Sequence, residues 1–295
     1  MNFAQFVTTE FGARLWMAIG RWLPPFAGHA LAGVIAGILH RRKQSSVYRI
    51  LYANQAGVLG PAATPAQVDA ATAAVLRHAG FTAYDLMHIV AQGEKAIRQA
   101  MEFPPEFWVD LEAARATGRG VIVVGCHLSN FNLGFLAFAL HDVPVQVLSA
   151  AHPAGGFALM HELRARGLLD ETPIDGPALR KAIKRLREGG VAATGGDWPV
   201  GVPAEERVLF FGRPARLPTG HVRLALAADA VLLPVACRWS AGRGYYMLSA
   251  PHLELELTGN READVQHNAR RVLAVFERWI TETPDQWLMY HPIWE

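Results

Sequence analysis

The sequence predicts an α/β protein: a mostly parallel central sheet covered by helices, preceded by a helical N-terminal extension. Three observations predict it. From Val121 onward, short apolar runs alternate with helical periods, the pattern of strands joined by crossover helices. Several of those runs are continuously apolar rather than alternating, as strands buried on both faces are. Residues 1–100, in contrast, read as mainly helical.

In chain order, Trp22 to Leu39 is weakly polar, interrupted by Pro24-Pro25 and His29 and closed by His40-Arg41-Arg42-Lys43. Only Phe26 to Leu39 is free of proline, short of the roughly 20 apolar residues that a comfortable span needs. Aromatics at one end and a basic cluster at the other suit a segment lying in a membrane interface. A hairpin packed on the protein's own core and a true transmembrane anchor are the competing readings. No cleavable signal peptide is expected, because the first residues lack a basic region and a small-residue cleavage site. Thr64 as N-cap and Pro65 at the first helical position open a helix through His78. Gly80 is expected to stop it, and Phe81 to Ala100 resumes the helical period. Leu111 to Thr117 is a short helix ending at Gly118.

The alternating half follows. Val121–Gly125 reads as a strand, Leu133–Leu140 as a helix, Val143–Ser149 as a strand and Gly156–Gly167 as a helix. Pro177–Glu188 is a basic helix closed by Gly189-Gly190. Val191–Thr194 is a strand leading into Gly195-Gly196-Asp197, and Val208–Phe211 is a short strand. His221–Asp229 is a helix, Val231–Arg238 a strand, and Tyr245–Ser249 and Leu253–Leu257 are two more strands. Asp264–Glu282 is a long terminal helix. The division expected is a helical membrane-associating region over 1–100 and a catalytic α/β domain over 101–295.

Composition narrows the function. Of 295 residues, 51% are hydrophobic and only 18% charged, below the roughly 25% of an average domain, which suits contact with lipid or another apolar partner. A net charge of +2, with no basic run interleaved with aromatics, excludes nucleic acid as the expected partner. The two cysteines, Cys126 and Cys237, form no disulfide framework, and neither they nor the histidines show metal-ligand spacing.

The chemistry concentrates where the first strand ends. Val121-Ile122-Val123-Val124-Gly125-Cys126 runs into His127, followed by Leu128-Ser129-Asn130-Phe131-Asn132 and then a helix. In open α/β sheets, reacting groups collect outside the carboxyl ends of strands. A histidine there can act as a general base near neutral pH with little pKa adjustment. Five residues rotate a helix by about 500°, so His127 and Asn132 can meet only if the histidine sits on the turn before the helix. Ser129 is a candidate N-cap. Asp197, after two glycines at a strand end, is a second candidate site residue.

These blocks resemble the bacterial lipid A biosynthesis acyltransferases and the related phosphatidylinositol mannoside acyltransferases and lysophospholipid-acyltransferase-like enzymes. The resemblance spans nearly the whole chain. It is carried by Arg49-Ile-Leu-Tyr-Ala-Asn54, Gly120 to His127, Arg164, Gly196-Asp197 with Gly201, Phe210 to Ala215, Pro218-Thr-Gly220, Leu232 to Val235, and Trp287 to His291 with Trp294. It implies a glycerol-3-phosphate-acyltransferase-like fold. One departure stands out: the family's motif is a histidine, four residues, then Asp or Glu, and here position 132 is asparagine. An amide can orient the imidazole but brings no charge to stabilise the imidazolium. Three explanations stay open: another carboxylate, Asp197 first, supplies the charge; the acceptor is easier to activate; or acyl transfer has been lost.

The resemblance implies that His127 deprotonates an acceptor hydroxyl or amine, which attacks the thioester of an acyl donor. His127, Asn132 and Asp197 are the expected catalytic residues. Asn130, Arg164 and Arg213 are the expected substrate-binding residues, Asn130 with its amide at the oxyanion and Arg164 and Arg213 on phosphates or headgroups. No cofactor or metal is expected; acyl carrier protein or coenzyme A delivers the acyl group to a membrane lipid or glycolipid. The expected location is the cytoplasmic face of the inner membrane, peripheral or monotopic. The basic helix, with Arg180, Lys181, Lys184, Arg185 and Arg187, is a candidate surface for an acidic carrier or anionic headgroups. A specialised enzyme acting on a small or peptidyl acceptor and a non-catalytic acyl- or lipid-binding relative are the alternatives.

Overall fold

The computed structural model describes residues 18–149, 169–199, 201–203 and 205–294. Helix α1 (Pro25–Arg41) starts where Pro24 holds an extended entry and Pro25 occupies the first turn, where no N–H is missed. Helix α2 (Ser46–Leu59) is capped by Ser45, which accepts from the Tyr48 amide. Helix α3 (Pro65–Ala91) opens on a capping box between Thr64 and Gln67.

The expected stop at Gly80 is corrected: α3 runs unbroken to Ala91. The glycine serves packing instead, since a Cβ there would lie 3.2 Å from the Ala32 carbonyl oxygen of α1. The helical period resumes only after Gly93, in α4 (Glu94–Ala100).

The sheet joins β1 (Met101–Glu102), β2 (Val121–Cys126), β3 (Val145–Ser149), β4 (Leu169–Pro173), β5 (Val191–Gly195), β8 (Val231–Ser240) and β9 (Gly244–Ser249) in the order β1-β9-β8-β2-β5-β3-β4. Strands β2 to β5 and β8 run parallel, and β9 turns back antiparallel on β8. A separate antiparallel ribbon is formed by β6 (Val208–Phe210) and β7 (Arg213–Ala215). The sheet is therefore mostly parallel and covered by helices, with helices before it.

Alternation along β2 divides the core. Val121 and Val123 face α5 (Pro105–Ala116) and α6 (Phe131–Phe138). Ile122, Val124 and Cys126 face α7 (Gly176–Arg187), α8 (Gly220–Ala228) and α9 (Arg261–Glu282). Both faces are buried, which is why β2 shows no polar alternation.

Three further differences have local causes. Leu253–Leu257 is not a strand: only Leu253 bridges, to Leu232. Side chains of α9 replace the ladder, Asn268 Oδ1 accepting from Glu256 N at 3.0 Å and Asp264 Oδ1 from Thr258 N at 2.7 Å. Asn130, not Ser129, caps α6, accepting from Leu133 N at 3.3 Å. The short strands β1 and β4 have no long apolar run to announce them. The helix expected over Gly156–Gly167, with Arg164 and Arg166, lies outside the described residues.

Among the described residues no helix is long and apolar enough to cross a membrane. Helix α1 is two-sided instead. Gly28, Ala32 and Ala36 are buried against the protein, while Phe26, Val34 and Ile38 are 78%, 61% and 45% exposed.

Candidate active site

Strand β2 lies between β8 and β5, and β2 and β5 pair in register with Gly125 opposite Gly195. Two residues beyond that pair, on adjacent strand ends, come His127 and Asp197. Parallel neighbours are about 4.8 Å apart, so the register alone brings these side chains together. The bond from Gly196 N to Gly125 O, 2.9 Å, extends the pairing toward them. Glycine at 195 is a steric requirement, because a Cβ there would fall 2.8 Å from His127 Cε1.

His127 Nδ1 lies 2.5 Å from Asp197 Oδ1. The fully buried carboxylate also accepts from His127 N at 3.0 Å and from Trp287 Nε1 at 3.0 Å, with the Cys126 thiol 3.4 Å away. Burial pushes this carboxyl up, but the facing imidazole and the converging N–H groups outweigh it and hold Asp197 below its ordinary value. An ionised carboxylate at Nδ1 fixes the tautomer with its proton on Nδ1. That leaves Nε2 as the basic atom, and it makes no hydrogen bond among the described residues. The His127 side chain is 16% exposed, so its ring stays accessible.

Aromatic rings wall the imidazole. Phe131 stands edge-on at 4.5 Å and Trp198 lies at 4.7 Å. Across Trp198, at 4.6 Å, is His291. Burial lowers His291 below its ordinary value, with the neighbouring His127 ring and the Arg216 charge acting in the same direction. The C-terminal segment pins the loop from outside: Leu288 N donates to His127 O at 3.0 Å, and Ser129 N donates to Gln286 O at 2.7 Å. Helix α2 in turn holds that segment, Asn54 Nδ2 donating to the Met289 and His291 carbonyls at 2.9 Å each.

A small apolar cleft, partly open to solvent, adjoins the ring through Phe131. Gly125 and Cys126 of β2, Phe131 and Phe135 of α6, Val235 and Cys237 of β8 and Met247 of β9 contribute to its walls. Gly125 keeps it open beside the strand end: a Cβ there would stand 3.6 Å from the Phe135 ring. Cys126 is no nucleophile, since burial, followed by the Asp197 charge, drives its thiol well above the ordinary range.

The other expected site residues fare differently. Asn132 is half-buried in the first turn of α6 while Nδ1 of the ring faces Asp197. Asn130 is buried, and its amide caps α6 and donates to Thr82 O at 3.1 Å. Arg213 is exposed on β7, 5.3 Å from the Trp294 ring, whose neighbour Trp287 touches Asp197. Arg164 is outside the described residues. On α7, Lys181 pairs with Asp170 at 2.5 Å and Arg187 donates to Ala227 O at 2.9 Å, so much of its charge is engaged at home. Sequence reasoning missed Trp198 as a wall of the site and Trp287 as a donor to its carboxylate. For Trp287 the signal was the Trp/His element at the C-terminus; for Trp198 it was only its place next to Asp197. Among the described residues, no group of three or more His, Cys, Asp or Glu side chains could hold a metal ion.

A histidine with a buried carboxylate partner beside an apolar cleft can take a proton from a group bound there. The bacterial lipid A biosynthesis acyltransferase profile matches residues 3–295. A phosphatidylinositol mannoside acyltransferase of Mycobacterium tuberculosis (strain CDC 1551 / Oshkosh) is 27% identical over 285 residues, 95% of this chain and 86% of the relative. One from Mycolicibacterium smegmatis (strain ATCC 700084 / mc(2)155) is 36% identical over 198 residues, 63% of this chain and 59% of the relative. The chain belongs to the bacterial lipid A biosynthesis acyltransferase family and is an acyltransferase.

Proposed function

We propose that the protein transfers a fatty acyl group from an acyl-carrier-protein or coenzyme A thioester to a hydroxyl of a membrane glycolipid, with His127 as general base. The observation that carries this reading is the 2.5 Å contact between His127 Nδ1 and the buried Asp197 carboxylate. Nε2 takes the proton of the acceptor hydroxyl as its oxygen attacks the thioester carbonyl, and Asp197 stabilises the imidazolium so formed. The N–H groups of the first turn of α6 receive the developing oxyanion. Collapse breaks the carbon–sulfur bond, and the proton held on Nε2 leaves with the thiolate. The acyl tail lies in the cavity between β2 and α6. Asn130 acts as the structural cap that orients α6, and Asn132 stands in its first turn. Arg164 and Arg213 serve headgroup or donor phosphates.

Asp197 supplies the charge that Asn132 cannot, and on that ground we set aside both a non-catalytic role and a specialised small acceptor. The glycolipid acceptor rests on relatives named for phosphatidylinositol mannoside. The exposed Phe26, Val34 and Ile38 of α1, followed by Arg41, Arg42 and Lys43, suit a peripheral helix lying in an anionic lipid surface on the cytoplasmic face. The test is to incubate the purified full chain with radiolabelled palmitoyl-coenzyme A or palmitoyl-carrier protein and vesicles containing phosphatidylinositol mannoside. The expected result is a glycolipid one acyl chain heavier. Thioester hydrolysis without an acylated glycolipid would overturn the assignment.

A further inference from the structure

Helix α3 carries two groups one turn apart that grip consecutive residues of the loop after His127. His78 Nε2 lies 3.0 Å from Ser129 Oγ, and Thr82 O accepts from Asn130 Nδ2 at 3.1 Å. Residues i and i+4 share a helix face, so this is a single docking edge. Ser129 needs the support. It is buried and has φ of 48°, in the left-handed region that non-glycine residues rarely occupy. That turn swings the chain from the end of β2 into α6, two residues after His127. Among the described residues, the left-handed residue has two hydrogen-bond partners besides its neighbours: the His78 ring and, through its own N–H, the Gln286 carbonyl at 2.7 Å.

His78 is itself held. It lies against Phe81 and Trp239, with ring centroids 6.1 and 6.4 Å away. Gln286 bonds both backbone groups of Trp239, at 2.9 and 2.8 Å. Burial pushes His78 down to about 4, so its ring is neutral at working pH and takes no proton from the reaction.

We propose that His78 is a positioning residue for His127: it holds Ser129 in its left-handed turn and thereby keeps the His127 ring against Asp197. This rests on the reading of His127 as the base. It also means that the N-terminal helices, expected from the sequence to associate with membrane, build part of the active centre. A fragment of residues 101–295 would lack the template for its own catalytic loop.

The test compares His78→Phe, which keeps ring bulk and loses the hydrogen bond, with Ser129→Ala, which deletes the same bond from the other side. His78→Gln, which restores a hydrogen-bonding group of similar reach, is the rescue. All are full-length chains, assayed for kcat and KM and followed by nitrogen-15 NMR titration of the histidines. A misplaced base costs on the order of 10²-fold, so His78→Phe and Ser129→Ala should lower kcat by about 10- to 100-fold with donor KM nearly unchanged. The Nδ1–H signal of His127 should move, and His78→Gln should recover most of the rate. Folded His78→Phe or Ser129→Ala protein with wild-type kcat and an unmoved His127 signal would overturn the proposal. The control is His127→Ala. If that variant is inactive while His78→Phe is fully active, the positioning role alone fails. If it is fully active, the base assignment fails first.

Discussion

Replacing Asp197 by asparagine separates the two things this carboxylate does. Its oxygens accept from His127 Nδ1 at 2.5 Å, His127 N at 3.0 Å and Trp287 Nε1 at 3.0 Å. Asparagine has one acceptor oxygen and one NH₂ group, so one position must turn from acceptor to donor. With the nitrogen at the Oδ2 position, it would face the N–H groups of His127 and Trp287. That orphans the buried Trp287 N–H, at about 1–3 kcal/mol, and leaves His127 N with only its 3.2 Å contact to Oδ1. With the nitrogen at the Oδ1 position, only Nδ1 is affected, and the ring adapts by moving its proton to Nε2. The second arrangement is the cheaper, and it protonates the atom that must act as base. In serine hydrolases the corresponding change costs about 10⁴ in turnover. We therefore expect Asp197→Asn to lower kcat by about 10³- to 10⁴-fold, or about 4–5.5 kcal/mol in barrier, with a modest change in melting temperature. Initial-rate acyl transfer from radiolabelled thioester, with circular dichroism to confirm folding, measures both. A folded Asp197→Asn protein within 10-fold of wild-type kcat would refute the argument.

Other expectations probe the cavity, the surface and the core. Gly125→Val fills the cavity mouth beside His127 and should shift product toward shorter acyl chains, while Met247→Ala should admit chains longer by about two methylenes at native packing density; mass spectrometry of products from mixed donors reads both, and an unchanged distribution would remove the tail from this cavity. Phe26→Asp with Val34→Asp removes two exposed apolar groups from α1, each worth roughly 1.5–3 kcal/mol if buried in lipid, and should abolish sedimentation with anionic vesicles without lowering the melting temperature. Stability should fall as pH drops from about 6.5 to 4. His78 and His221 are buried with pKa values near 4 in the fold against 6.5 ordinarily, so the unfolded chain binds more protons in that window, at up to about 1.4 kcal/mol per pH unit for each. Melting temperature against pH should show this slope, and His221→Phe should flatten it.

What the sequence made legible was local. The β-branched run ending at His127 and the two glycines before Asp197 announce strand ends and close backbone approach, and those are the two residues that meet. Their meeting was not legible, because it depends on β5 lying beside β2 with Gly195 opposite Gly125. Nothing in either strand encodes its neighbour. The same limit hid Trp287, which reaches Asp197 from 90 positions away, and His78, which reaches Ser129 from 51. Gly80 misled because a glycine that stops a helix and one that lets another helix approach look alike in one chain; Ala32 decides between them. Leu253–Leu257 misled because its apolar residues predict a ladder that side chains of α9 supplant.

The central claim is that Nε2 of His127 removes the acceptor's proton, and single-turnover transfer with saturating donor and glycolipid tests it most directly. His127→Gln keeps a polar side chain of similar reach but offers no base, so transfer should fall by about 10²-fold or more while donor binding persists. Transfer by folded His127→Gln protein at the wild-type rate would contradict the account.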